Sequence, residues 1–90
     1  MKNRLRYKLM GKVKTIDTEE ETIKKVSFFL VGKDPVYTAV LRPYTMDRCG
    51  CDITVKETGE KVYENHDIKV FDNSSLVRCI SIFTNIMSDK

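Results

Sequence analysis

Tryptophan is absent from these 90 residues, proline occurs twice and histidine once. The single histidine, His66, lies in Glu64-Asn65-His66-Asp67, which reads as a polar turn. No Ser-His-Asp or Cys-His arrangement can be assembled around it by spacing, and no Gly-rich phosphate loop is present. The expectation is a protein that is not an enzyme. No apolar run approaches the roughly 18 residues of a membrane span, and the basic start lacks the apolar core of a signal peptide, so no membrane partner is expected. Three cysteines are an odd count without a disulfide framework. Cys49-Gly50-Cys51 places two soft ligands close together, but a zinc site usually needs four, and only Cys79 and His66 remain. These counts lead to an expectation of no metal and no cofactor, with loop thiols in a reducing, cytoplasmic setting.

The most uneven absence is of acid at the start. Residues 1–14 carry six Lys/Arg and no Asp or Glu, whereas the rest of the chain has ten basic and thirteen acidic residues. The net charge of +3 thus hides a segment of +6 on a body of −3. A concentrated basic stripe attracts polyanions more strongly than the net charge suggests. At 41% hydrophobic and 32% charged, the chain fits one globular domain over residues 1–90.

Within that basic segment, odd positions read Leu5, Tyr7, Leu9, Gly11 and Val13, and even positions Arg4, Arg6, Lys8, Met10, Lys12 and Lys14. Side chains alternate faces along a strand, so this pattern predicts a strand that is apolar on one face and cationic on the other. Four acids within Asp17 to Glu21 predict a solvated hairpin loop. Ile23 to Val31 then predicts a second strand. A helix over 18–31 competes, with Asp17 and Glu20 as a capping box and Gly32 as C-cap. The Phe28-Phe29-Leu30-Val31 tail decides for β. Pairing Ile16 with Ile23 sets Val13 opposite Val26, Gly11 opposite Phe28 and Leu9 opposite Leu30. It leaves Lys25 and Phe29 beside the cationic face. Gly11 to Asp17 is similar to the bent strand-and-turn of small β-barrels of the OB or SH3-like kind.

Beyond this basic hairpin, 4–31, further strands are expected over 36–71. Val36 to Leu41 is a strand ended by Pro43, and Arg42 to Cys51 a loop carrying Arg42, Tyr44, Met46 and Arg48. Asp52 to Lys56 and Lys61 to Tyr63 form a hairpin around Thr58-Gly59, and Ile68 to Phe71 a last short strand. A helix over 74–88, capped by Asn73 or Ser74, carries Leu76, Ile80, Phe83 and Met87 on one stripe. That stripe covers the sheet, or else forms a homodimer interface. The expected fold is α+β, mainly β: a small antiparallel, partly closed sheet or barrel of five to six strands with one C-terminal helix.

The expected function is a non-enzymatic binding module that engages nucleic acid through the basic strand face. Regularly spaced cations displace counterions from phosphates, and aromatics add stacking. The candidate residues are Arg4, Arg6, Lys8, Lys12, Lys14, Lys25, Phe29, Arg42, Tyr44 and Arg48. The same lysines would also serve merely to solvate an exposed hairpin and deter edge pairing. The alternative function is a small protein-binding modulator or inhibitor, phage or mobile-element encoded, that docks an acidic surface of a host or defence protein.

Overall fold

Two periodicities in the chain, two residues in its first half and about 3.6 at its end, become a sheet and a helix that seals one side of it. The computed structural model describes residues 4–89; Met1 to Asn3, the start of the basic segment, lie outside them. The elements are β1 (Tyr7–Asp17), β2 (Thr22–Leu30), β3 (Val36–Thr45), β4 (Arg48–Val55), β5 (Lys61–Ile68) and α1 (Asn73–Ser88). The strands form one antiparallel sheet in the order β1-β2-β3-β4-β5. The fold is the expected α+β with five antiparallel strands and one C-terminal helix; the sheet stays open with β1 and β5 as edges and does not close into a barrel.

β1 pairs with β2 in two registers. Ile16 faces Ile23 as the hydrophobic pattern requires, whereas Leu9 faces Phe28 and Tyr7 faces Leu30. The expected pairs Leu9–Leu30 and Gly11–Phe28 do not form. The register shifts between Met10 and Lys14, where Gly11, Lys12 and Val13 stand against Val26 alone. Gly11 supplies the bend with φ +95, a conformation that side chains disfavour. Two residues are inserted, not one, so the alternation of faces survives. Lys12 and Lys14 remain on the side of Met10, while Val13 remains against the core. The acidic segment closes the hairpin: the Thr18 hydroxyl accepts from Glu21 N–H (3.1 Å), and the Thr22 hydroxyl donates to Asp17 Oδ1 (2.6 Å).

Arg42 to Cys51 is not a loop. β3 continues through Pro43 to Thr45, turns at Met46-Asp47, and returns as β4 from Arg48. Pairing with β2 ends at Lys24–Leu41, so Pro43 falls where β3 has β4 as its partner and a missing donor is tolerated. The expected polar turn at His66 is likewise strand: β5 runs to Ile68, and no sixth strand follows over 69–71. Asp72, not Asn73 or Ser74, caps α1. Its Oδ1 accepts from Ser75 N–H (2.8 Å) and the Ser74 hydroxyl (2.7 Å), and these bonds hold its carboxyl below the ordinary range.

α1 lies across one face of the sheet and touches all five strands. Leu76, Cys79, Ile80 and Phe83 are buried against Val26, Phe28 and Leu30, Tyr37, Ala39 and Leu41, and Cys49, Cys51 and Ile53. Phe28 stacks on Tyr37 at 5.4 Å, and Phe83 meets both rings edge-on at 6.0 and 5.1 Å. The helical stripe offered as sheet cover or dimer interface is spent on its own sheet. All three thiols are free and buried, so Cys49 and Cys51 belong to the core rather than to a loop. Among the described residues no helix is long and apolar enough to cross a membrane.

Candidate polyanion-binding face

Because side chains alternate, sealing one face with α1 leaves the other half of every strand on an open face. Register places the members of this face in rows. Lys8 stands opposite Phe29, and Phe29 opposite Val36. Met10, Ser27, Thr38 and Thr54 form the next row, followed by Lys61. Lys14, Lys25, Val40, Asp52 and Glu64 form the third. Two hollows lie on this face. One, of about 570 Å³, is lined by Lys25, Ser27, Thr38, Val40, Arg42, Asp52, Thr54, Lys56 and Lys61. The other, of about 390 Å³, is lined by Met10, Lys12, Lys14, Ile16, Lys25, Val26, Ser27 and Lys56. They share Lys25, Ser27 and Lys56, and so form one trough.

The charges on this face divide into a paired end and an unpaired end. At the β4–β5 end, Arg42 reaches Asp52 (3.4 Å) and Glu21 (3.6 Å), and Lys61 reaches Glu64 (2.9 Å) and Asp52 (3.6 Å). Nε2 of His66 lies 3.1 Å from Glu64. The Lys61 hydrogen bond, then that of His66, holds the Glu64 carboxyl below its ordinary range. The bond to Glu64 and the charge of Asp52 raise the Lys61 ammonium. Asp52, Glu64 and His66 bring ligand atoms within 4.8 Å of one another. Lys61 supplies the positive charge beside them, and Asp52 Oδ1 is buried with no hydrogen-bond partner. At the other end, Lys8, Lys12, Lys14, Lys25 and Lys56 have no ion pair among the described residues. Lys14 stands directly opposite Lys25, and like charges held this close raise the potential for an anion.

The residues singled out by sequence divide accordingly. Lys8, Lys12, Lys14 and Lys25 share the open face, with Phe29 half-buried beside Lys8. Arg42 lines the trough but is committed to acids. Tyr44 is held over Gly50, with its hydroxyl 2.8 Å from His66 Nδ1. Arg48 is exposed near Asp67 at 3.9 Å. Arg4 turns to the helix, where it donates to Asn85 (3.4 Å), and Arg6 lines a groove between the start of β1 and α1. Neither arginine joins the trough. Sequence reasoning missed Lys56, Lys61, Ser27, Thr38 and Thr54. Strand parity already places Ser27 with Lys25, but the others require the pairing of β3, β4 and β5. Compared with known proteins, the chain matches no family model, no curated sequence and no solved structure, so its site is read from its own geometry.

Proposed function

We propose that this domain is a non-enzymatic module that binds nucleic acid across the open face of its sheet. The observation that carries the reading is the gathering of four unpaired lysines, Lys12, Lys14, Lys25 and Lys56, around one trough, with Lys8 on the same face, on a sheet whose other face is sealed by a helix. Each lysine that meets a phosphate releases condensed counterions, so charge supplies affinity without sequence preference. Three free thiols fit a reducing, cytoplasmic setting for such a module.

The test is fluorescence anisotropy with mixed-sequence DNA and RNA, single-stranded and duplex, at 50 and 200 mM salt. Four or five phosphate contacts predict a loss of affinity of roughly fifty- to several-hundredfold over that range. Reversing Lys8, Lys12, Lys14, Lys25 and Lys56 to Glu should abolish binding while the far-UV spectrum stays unchanged, since none of these side chains enters the core. Absence of binding to every nucleic acid at 50 mM salt would overturn the reading. A second reading, docking on an acidic protein, draws on Met10 and Ile16. Both are exposed at the lysine-rich end of the trough (49% and 38%), where they could anchor a contact that the lysines steer.

A further inference from the structure

We infer that the nucleic acid taken by this face is a single strand that crosses the β-strands and reaches the trough floor with its sugar or base groups. The inference rests on the polyanion reading above and adds the form and path of the ligand. Three observations carry it. The first is direction. The trough begins at Lys12 and Lys14 on β1 and ends at Lys61 on β5, so it runs across all five strands. Adjacent strands lie about 4.8 Å apart, which makes it roughly 20 Å long. That is room for about four nucleotides, the low end of single-strand site sizes.

The second is the floor. Ser27, Thr38 and Thr54 pair directly across β2, β3 and β4 and line the larger hollow. No side-chain hydrogen bond engages their hydroxyls among the described residues. A row of uncommitted donors and acceptors between lysines suits a ligand whose charges recur at intervals, with polar groups between them. The third is depth. Thr38 is 9% exposed, so the floor is recessed below the cationic rim. A duplex is stiff and presents a convex cylinder, which rests on rim lysines without reaching Thr38. A single strand can splay into the hollow.

The test uses labelled oligo(dT) and oligo(U) of two to eight nucleotides, and a mixed-sequence duplex, at 50 mM salt. The expected result is affinity that rises with length and flattens near four nucleotides, at least tenfold tighter than for the duplex. Thr38→Val with Thr54→Val keeps the shape and β-propensity of both residues and removes two hydroxyls. This pair should weaken single-strand binding about tenfold and leave duplex binding and the melting temperature unchanged. A Ser27→Ala variant gives a second reading of the same row should the pair melt early. Duplex affinity equal to or above that of the single strand overturns the inference. So does unchanged affinity in all hydroxyl variants, or displacement of the oligonucleotide by poly-glutamate at equal charge concentration. Each of these three outcomes leaves nucleic-acid binding standing. Absence of binding to every probe removes the underlying reading as well.

Discussion

Gly50 and Tyr44 show how one missing side chain sets another. Gly50 is buried on β4, and a methyl placed there would overlap the Tyr44 ring, with Cζ only 2.7 Å away. The bare backbone lets that ring lie flat on the open face and bond His66, which in turn sits beside Glu64. The requirement is for space, since Gly50 is not among the positive-φ glycines. Gly50→Ala should therefore push the ring away and release His66, at a cost of about 1–2 kcal/mol from the lost hydrogen bond and ring contact. In a Tyr44→Ala background the same substitution should cost close to nothing, because the obstacle is gone. A double-mutant cycle by chemical denaturation checks this. Equal losses in both backgrounds would place the conflict in the backbone instead.

At the scale of elements, β1 depends on the Gly11 bulge. No atom lies within 4 Å of a Cβ built at Gly11, so Gly11→Ala meets no clash and its cost is conformational, about 1–2 kcal/mol for a positive φ. Gly11→Asn should cost less, because asparagine tolerates that region better. Denaturant midpoints for the two variants check the order, and a cross-strand NOE between Leu9 and Phe28 reports whether the register holds. The bulge also explains what was legible in the chain. An insertion of two residues leaves parity intact, so both faces of β1 could be read although half its pairs could not. α1 was legible because its period is long and clean, and β2 because its Phe28-Phe29-Leu30-Val31 tail favours β over the competing helix. β4 and β5 were not. Cys49-Gly50-Cys51-Asp52 interrupts its apolar run with glycine and acid, and Glu64 to Asp67, on an exposed edge strand, shows no apolar alternation at all. Pro43 reads as a strand end but sits where β3 has β4 as its partner. The candidate site was legible to the same extent. Lys8, Lys12, Lys14 and Lys25 share parity within one hairpin, whereas Lys56, Lys61 and the hydroxyl row depend on three further registers.

For the molecule as a whole, the division between a sealed face and an open face puts the hydrophobic core on one seam. Cys49 and Cys51 enter that seam from β4 and Cys79 from α1. Cys51 is pushed well above the ordinary thiol range, first by the hydrogen bond it shares with Cys79 and then by burial, and burial raises Cys49 as well. The thiolate is the reactive form, so burial and proton retention both slow attack on these two. Cys79 is shielded by the same packing, at 2% exposure. Leu76, Ile80 and Phe83 share this seam, so α1 cannot lift away without exposing most of the core. Labelling should therefore follow global unfolding rather than local fraying. With Ellman's reagent in excess, the three thiols should react together, at least about a thousandfold more slowly than in the urea-unfolded chain. Their common rate should rise with denaturant in parallel with loss of the near-UV signal, and a chelator should change neither rate nor midpoint. Fast labelling of Cys79 alone would instead show that α1 undocks from an intact sheet. The open face would then be held by strand pairing independently of the helix behind it.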